Sequence, residues 1–267
     1  MKLTVRDIYE TINQAAPFAS QASWDNSGLL VGAMEMSAGR ILTTLDISCE
    51  VLAEAKRRDV QLIVAHHPVI FSPLKQLSPD NPAYQLAAAG IAAICVHTPL
   101  DIAPTGLNAS AFAMLQEPLQ LAETRTVLEP AWTDSRGFGW VADCQKEMSA
   151  GVVAEVLQKM FHCAGVRYAQ GRRSIQKIAY CSGSAASMLE LAAEMGCDAM
   201  ITGDVKHDRW YAAEYAGMSL FDCGHYETEQ FAAQILAEWI KAAYPSAEVI
   251  CFPGKAPSVI CAGGEAQ

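Results

Sequence analysis

The sequence lacks several features that would mark it as a membrane or nucleic-acid-binding protein. Among its 267 residues there is no uninterrupted apolar run of about 18 residues, the length that a membrane-spanning helix needs. Basic residues are scarce, since 19 Lys and Arg stand against 29 Asp and Glu and give a net charge of −10. An acidic chain repels phosphate backbones. We therefore expect no membrane association and no dedicated nucleic-acid-binding surface.

The motifs of several metal and cofactor classes are also missing. The nine cysteines include no Cys-x-x-Cys pair, which excludes a zinc ribbon, and their odd number and apolar surroundings indicate reduced thiols. There is no P-loop, and no G-x-G-x-x-G follows the first predicted strand, which argues against a Rossmann-type dinucleotide enzyme. The first seven residues contain no apolar stretch typical of a signal peptide. We therefore expect a cytoplasmic protein.

What the chain does contain is a repeated alternation of strands and helices. Hydrophobic residues make up 51% of the sequence, enough for a substantial core. Three apolar strands alternate with two helical stretches between residues 40 and 96, and the same order recurs between residues 177 and 223. Such alternation predicts parallel strands. The expected fold class is α/β, with two similar β-α-β-rich lobes, produced by internal duplication, whose largely parallel or mixed sheets are flanked by helices.

The boundary between the two lobes is expected near residue 125. We predict a first lobe over residues 1–125 and a second over residues 126–267. The C-terminal segment, about 240–267, contains short apolar runs that can return to the first lobe. No low-complexity linker separates the two halves, which favours tightly packed lobes.

Histidines stand where three of the predicted strands end. His66 and His67 follow one strand, and His97 follows the next, with Asp101 four residues later. In the second half His225 follows a strand, also with an acid, Glu229, four residues later. Reactive groups gather at the carboxyl ends of parallel strands, and neutral imidazoles with carboxylates are ligands of Zn, Mn and Fe(II). A lone histidine here would be read as packing, but three strand ends together predict a metal site between the lobes.

The adjacent pair of histidines favours two ions over one. Side chains alternate along an extended segment, so His66 and His67 point to opposite sides and can serve one ion each. A shared carboxylate then bridges the two ions, which lie about 3.5–4 Å apart in sites of this kind. A ligand set without cysteine is compatible with Fe, Mn, Zn, Co or Ni. The sequence therefore predicts two divalent metal ions per chain.

The chain resembles the GTP cyclohydrolase 1 type 2 family, also called the Nif-three-like family, in its short form without an inserted domain. The matching segments run in family order over nearly the whole chain, and as a set they are specific. They are Trp24-Asp25-Asn26-Ser27-Gly28-Leu29-Leu30-Val31-Gly32, Ala65-His66-His67-Pro68, His97-Thr98-Pro99-Leu100-Asp101, Gly106-Leu107-Asn108, Gly203-Asp204-Val205-Lys206-His207-Asp208 and Gly224-His225-Tyr226-Glu227-Thr228-Glu229.

The resemblance implies a two-lobed α/β protein that assembles into a toroidal homohexamer with a dinuclear metal site. The residues that match the family's metal ligands are His66, His67, Asp101, His225 and Glu229. Glu229 is then the bridging carboxylate. His97 matches a residue just outside the ligand set, where it would orient Asp101 or a water. One departure is Pro99, where many relatives carry Asn; it leaves the ligands in place.

The same resemblance implies a metal-dependent hydrolase that opens the imidazole ring of GTP with loss of formate. Two divalent ions would make hydroxide available near neutral pH. The sequence shows no guanine-recognition motif, and the nearest cations for a phosphate chain are Lys206, Arg209 and Lys75. The alternative is a non-catalytic metal-binding ring or a regulatory interaction protein. A nucleotide substrate and the enzymatic activity itself therefore stay open at this point.

Several neighbouring residues allow more than one interpretation. The loop after the strand at 199–202 carries four polar residues, Asp204, Lys206, His207 and Asp208. They line the site and bind substrate, or Asp204 merely caps the next helix. Asp25 and Asn26 either contact the site or merely form a turn, and the turn is the favoured interpretation. The five tryptophans are too scattered to predict a stacking platform.

Overall fold

A computed structural model describes residues 3–133 and 135–258 of the chain. None of the helices in these two ranges is long and apolar enough to cross a membrane. The chain forms two compact units. The first comprises Met1–Leu107 and Gln230–Gly254, and the second comprises Asn108–Glu229 and Lys255–Gln267. The C-terminal segment considered above extends into residues 259–267, which lie outside the described residues.

Helices and strands alternate through most of the described chain. The helices are α1 (Val5–Ala15), α2 (Cys49–Arg57), α3 (Pro82–Ala89), α4 (Thr98–Ile102), α5 (Leu107–Gln116), α6 (Ala150–Met160), α7 (Leu189–Glu194), α8 (His207–Ala216), α9 (His225–Glu229) and α10 (Ala232–Ala243). The strands are β1 (Gly28–Val31), β2 (Arg40–Thr44), β3 (Leu62–Ala65), β4 (Ala92–Cys95), β5 (Thr126–Thr133), β6 (Arg136–Met148), β7 (Arg167–Ala169), β8 (Ile175–Tyr180), β9 (Ala199–Thr202), β10 (Ser219–Asp222) and β11 (Glu248–Cys251).

The first unit contains a five-stranded sheet in the order β1-β4-β3-β2-β11. Strands β4, β3, β2 and β11 are parallel, and β1 runs antiparallel to β4. The sequences Leu62–Ala65 and Ala92–Cys95 are continuous apolar runs and are buried along their whole length. Such runs are typical of strands in a parallel sheet covered on both faces, because neither face meets water.

Local sequence signals begin and end the helices of this unit. Thr4 and Asp7 form a reciprocal capping box at the start of α1, each side chain bonding the other residue's backbone N–H. The side chain of Asn81 caps α3, Pro82 occupies its first position, and Gly90 ends it in the left-handed conformation. Each cap satisfies backbone groups that the helix leaves unbonded. The sequence predicts helices at 5–16, from apolar spacing of three and four, and at 81–89, and these signals account for both.

The second unit contains a six-stranded sheet in the order β5-β6-β8-β9-β10-β7. Its centre is parallel, since β8, β9 and β10 run in the same direction. Strands β6 and β7 flank this centre and are antiparallel to β8 and β10, and β5 pairs with β6 as a long hairpin. The core of this sheet includes the stacked rings of Trp140 and Tyr180, whose centroids are 5.2 Å apart.

The α/β class and the mixed sheets flanked by helices are confirmed. In both units three parallel strands follow one another in sequence order, with an antiparallel strand beside the last. This shared order is what a duplicated β-α-β-α-β unit requires. One detail differs: the apolar run at 29–31 predicts a short buried strand, but these residues are only partly buried, because β1 lies at the edge of its sheet.

Candidate functional site

Three imidazoles meet at the ends of β3 and β4 in the first unit. His66 and His67 follow β3 directly, and His97 stands two residues after β4. Because the two strands are adjacent and parallel, their carboxyl ends deliver these residues to the same edge. Ligand-capable nitrogens of all three lie within 4.8 Å of one another. The group is able to hold a metal ion.

His66 is fully buried, and its surroundings fix which ring nitrogen carries the proton. Its Nδ1 lies 2.9 Å from the carbonyl oxygen of Val96. A carbonyl oxygen only accepts, so Nδ1 must donate, and in the neutral ring Nε2 then carries the lone pair. This Nε2 lies 3.7 Å from Oδ1 of Asp101 on α4. Two ligands of one ion at about 2.1 Å are separated by roughly this distance.

The other two histidines of the first unit are held through Nδ1 by carboxylates. The Nδ1 atom of His67 donates to Oδ1 of Asp46 over 2.7 Å, and that of His97 donates to Oδ1 of Asp25 over 2.8 Å. A carboxylate behind an imidazole fixes its orientation and raises its basicity as a ligand. In both rings Nε2 is therefore the nitrogen whose lone pair can bind a metal or accept a hydrogen bond from water.

Asp25 is more than a turn residue. Its side chain is fully buried, and its Oδ2 accepts hydrogen bonds from the backbone N–H and the hydroxyl of Thr98 as well. Burial alone would raise the pKa of this carboxyl, but the hydrogen bonds from His97 and Thr98 outweigh it and lower the pKa well below its usual range. The sequence signal was present, since Asp25 lies within the first matched motif, but a turn explained it equally well.

The second unit contributes an imidazole and a carboxylate on one short helix. His225 begins α9 and Glu229 ends it, so the two face the same side, with Nε2 of His225 3.0 Å from Oε2 of Glu229. The Nδ1 of His225 donates to Oδ2 of Asp204 over 2.8 Å. Asp204 adopts a left-handed φ of 49°, which few residues other than Gly, Asn and Asp tolerate.

Gly183 leaves space for this pair. It follows β8 with a left-handed φ of 63°, and a Cβ atom there would come within 2.3 Å of Oε1 of Glu229 and 3.3 Å of Nε2 of His225. Any side chain would therefore displace the carboxylate. The sequence reveals no reason for this glycine beyond turn formation, because the close approach depends on α9, which lies far along the chain.

The donor set suits divalent ions such as Fe, Mn, Zn, Co or Ni. Four histidines have Nδ1 bonded to an oxygen, and in each the remaining nitrogen is Nε2. Imidazole nitrogens and carboxylate oxygens are the ligands these metals take in proteins. The residues present therefore fit a metal centre in two respects: their donor atoms are those that these metals bind, and the tautomers of the imidazoles are already set for binding.

A cavity of about 240 Å³ in the second unit lies beside the residue that holds His225. Its lining consists of Ser184, Ala186, Ser187, Asp204, Lys206, Asp208 and Arg209. The guanidinium of Arg209 pairs with Asp208 and Glu190. Lys206 is the N-cap of α8, so the alternative in which Asp204 caps this helix is wrong. The carboxylate of Asp204 instead accepts the Nδ1 proton of His225.

The whole chain matches a known family. The model for Duf34/NIF3 (NGG1p interacting factor 3) covers residues 3–257. The chain belongs to this family. The predicted resemblance is thereby confirmed.

Relatives in the family carry names of two kinds. A Helicobacter pylori protein called GTP cyclohydrolase 1 type 2 is 32% identical over 238 residues, covering 88% of this chain and 90% of its own. A Schizosaccharomyces pombe protein called Protein NIF3 homolog is 31% identical over 224 residues, covering 78% of each chain. A Clostridium acetobutylicum protein called GTP cyclohydrolase 1 type 2 homolog is 27% identical and covers 91% of each.

Solved structures of the family have the same fold. A Bacillus cereus protein related to NIF3 matches with a TM-score of 0.86 at 18% identity, over 98% of this chain and 100% of that one. The reduced form of HcgD from Methanocaldococcus jannaschii matches with a TM-score of 0.78 at 25% identity, over 94% and 98% of the two chains.

Within each unit, the predicted metal ligands of this NIF3-family chain come together. His66 and Asp101 face each other in the first unit, with His67 beside them, and His225 faces Glu229 in the second. His97, predicted to lie outside the ligand set, has a ring nitrogen as close to His66 and His67 as a ligand would be. Four residues were missed or assigned another role: Asp46 and Gly183, whose only notable sequence signal is their place after a strand, and Asp25 and Asp204, whose actual roles were not predicted.

Proposed function

We propose that the protein is a dinuclear divalent-metal hydrolase. The ligands in this proposal are the five residues of the family motif, His66, His67, Asp101, His225 and Glu229. The observation that carries it is the common tautomer of His66, His67 and His225, since Nδ1 of each lies against an oxygen acceptor and Nε2 is the nitrogen whose lone pair can bind a metal. Histidines that serve only packing do not need to carry the proton on the same ring nitrogen, whereas metal ligands that bind through Nε2 do. The prediction that the site lies between the lobes stays a prediction.

Each side chain has a separate task in this proposal. Divalent ions, when bound, lower the pKa of water enough to supply a nucleophile near neutral pH. Glu229 is buried and negatively charged, which suits it to offset the charge of two cations as the bridging ligand. Asp46 and Asp204 hold His67 and His225 in orientation. His97, held by Asp25, presents Nε2 to orient a water or the substrate.

The substrate class that we propose is a purine nucleotide, with ring opening at the imidazole carbon and release of formate. The name of the Helicobacter pylori relative, GTP cyclohydrolase 1 type 2, supports this choice. Lys206 and Arg209 line the cavity beside Asp204 and offer positive charge for phosphate oxygens. Asp204 and Asp208 line the same cavity and Arg209 pairs with Asp208 and Glu190, so the positive charge that a polyphosphate needs there would come in part from the bound metal ions.

The setting that we propose is a closed homo-oligomer, a hexamer, in the cytoplasm. Both parts follow from the resemblance to the family rather than from the geometry of one chain. Light scattering at micromolar concentration tests the assembly. A stable species of about one chain's mass, 28.7 kDa, would contradict it.

The function is tested by metal analysis and turnover on the same preparation. Protein purified without oxygen is analysed for metals, loaded with each candidate ion, and assayed for formate release from GTP. We expect metal-dependent formate release that a chelator abolishes and re-addition restores. Retained ions without turnover of any nucleotide would reject the hydrolase and favour the non-catalytic metal-binding assembly, and no retained ion would reject both.

A further inference from the structure

Two exposed aromatic rings stand beside the imidazoles of the first unit. Trp24 is 59% exposed and Phe71 is 52% exposed, and their ring centroids are 6.3 Å apart. The ring of His97 lies 5.8 Å from that of Trp24 and 6.3 Å from that of Phe71. His97 in turn lies 5.2 Å from the ring of His66. The aromatic pair is thus continuous with the candidate metal ligands.

The loop that carries Trp24 is fixed by buried hydrogen bonds. On one side of the tryptophan, Asp25 accepts from His97 and from Thr98. The backbone N–H of Ala22 donates to the hydroxyl of Thr98, and the hydroxyl of Ser27 accepts from the backbone N–H of His97. A segment bonded on both sides of the exposed indole holds that ring in place.

The segment that carries Phe71 is bonded to the same loop. The side-chain amide of Asn26, two residues after Trp24, donates to the carbonyl oxygen of Ile70 over 2.6 Å. Ile70 immediately precedes Phe71. Exposing two large apolar rings on a rigid support costs free energy, which points to a ligand that covers them.

We propose that Trp24 and Phe71 form a stacking platform for the planar heteroaromatic base of the substrate. This inference rests on the proposed function, because it assigns the base of that substrate to a place beside the metal ligands. The two rings are tilted by 47°, so they cannot clamp a base between parallel faces. Trp24 supplies the face on which the base stacks, and Phe71 borders it.

A base explains the surface better than a protein partner does. Each partner in a specific protein interface buries on the order of 800 Å², far more than two rings offer. A base stacked on Trp24 also lies against His97, next to the groups that would act on it.

The test uses a ligand that keeps the base but cannot be opened. In 7-deaza-GTP a carbon replaces N7 of the imidazole ring. The ring cannot then be opened by hydrolysis, so binding is measured without turnover. Inorganic tripolyphosphate serves as the base-free probe. Affinities for both are measured on metal-loaded protein, for the wild type, Trp24→Ala, Trp24→Phe and Phe71→Ala. Trp132→Ala is the matched control, since Trp132 is 46% exposed on β5 of the second unit.

We expect Trp24→Ala to lower the affinity for 7-deaza-GTP about 5- to 150-fold, the range typical of removing one stacked aromatic side chain. Phe71→Ala should weaken it less, Trp24→Phe should restore most of the affinity, and Trp132→Ala should change nothing. Tripolyphosphate should bind all five proteins equally. The same loss for tripolyphosphate, or no loss for 7-deaza-GTP, would overturn the platform, and so would dissociation of the oligomer in Trp24→Ala.

The two proposals fail separately. If the wild type releases no formate but Trp24→Ala selectively loses 7-deaza-GTP, the hydrolase is rejected and the platform stands. If GTP turnover is measured and Trp24→Ala leaves both KM and 7-deaza-GTP affinity unchanged, the platform is rejected and the hydrolase stands.

Discussion

In the first unit the parallel strands β2, β3 and β4 are bordered by the antiparallel strand β1, and in the second unit β8, β9 and β10 are bordered by β7 in the same way. The pairings β3–β4 and β9–β10 have the same register, because in each the first residues of the two strands are partners: Leu62 with Ala92, and Ala199 with Ser219. Positions in one unit can therefore be matched to positions in the other by counting from these pairs.

The matched positions hold different chemistry. His67 of the first unit corresponds to Asp204 of the second, and Asp46 corresponds to Gly183. Each aspartate holds the Nδ1 of a histidine in its own unit, but from a different strand end, Asp46 after β2 and Asp204 after β9. The scaffold repeats while the donor set does not: the first unit is rich in imidazole, and the second offers one imidazole and a buried carboxylate.

The equal spacing of histidine and acid in the two halves conceals an offset. His97 stands two residues after β4, whereas His225 stands three residues after β10. The extra residue is Gly224, whose φ of 86° is left-handed. The two histidine–acid pairs therefore stand one residue apart when the units are matched by strand register, and an alignment on the motif alone would hide this.

The largest expected effect on metal binding comes from neutralising Glu229, the buried carboxylate of the second unit. Glu229→Gln keeps the shape of the side chain but removes the charge that offsets two cations at close range. We expect this variant to fold normally, to retain at most one ion after dialysis and to lose hydrolytic activity, as measured by elemental analysis and formate release. Glu227→Gln, on the same short helix, is the control and should keep both ions.

Two retained ions in Glu229→Gln would show that another group bridges them, and Asp101 of the first unit would be the next to test. The bridging carboxylate would then belong to the first unit, which also supplies most of the imidazoles.

A smaller effect is expected from filling the space beside Glu229. Gly183→Ala introduces a Cβ 2.3 Å from Oε1 of Glu229 and also strains a left-handed backbone, which costs about 1–2 kcal/mol. Gly196→Ala has the same strain, with a φ of 76°, but meets nothing within 4 Å. Both should lower the unfolding temperature, and only Gly183→Ala should also weaken metal retention. Equal metal binding in the two variants would show that Gly183 serves the turn alone.

The smallest effects should come from the aspartates behind the histidines. Asp46→Asn in the first unit and Asp204→Asn in the second remove a charge that supports a ligand without removing the ligand. We expect each to weaken metal binding about 10- to 100-fold, measured by competition with a chelator, while two ions still bind at saturation. A loss in one variant only would mean that the two units support their histidines differently.

The sequence predicts the repeated centre of each unit well and its periphery less well. The sequence predicts a strand at 199–202 and a helix at 207–216, which coincide with β9 and α8. It predicts only a short strand at 137–141, and the hairpin of β5 and β6 extends far beyond it. The outer residues of β5 are exposed, and those of β6 at 143–147 are mostly polar and exposed, so hydrophobic periodicity does not reveal them.

The proposed ligands could be named from the sequence, but the residues that orient them could not. Histidine and carboxylate residue types at strand ends point to a metal directly, which is why His66 and Asp101 could be named in advance. Asp46, Asp25 and Trp24 act through partners 21 or more residues away in the chain. Only the fold brings such pairs together, so each reads as an ordinary turn or surface residue in the sequence alone.

The most direct test of the account is a crystal of the metal-loaded protein measured by anomalous scattering at the edge of the bound metal. We predict two peaks per chain, about 3.5–4 Å apart, with His66, His67, Asp101, His225 and Glu229 as their protein ligands. A single peak, or peaks bound by other residues, would contradict the proposal that these five residues hold two ions.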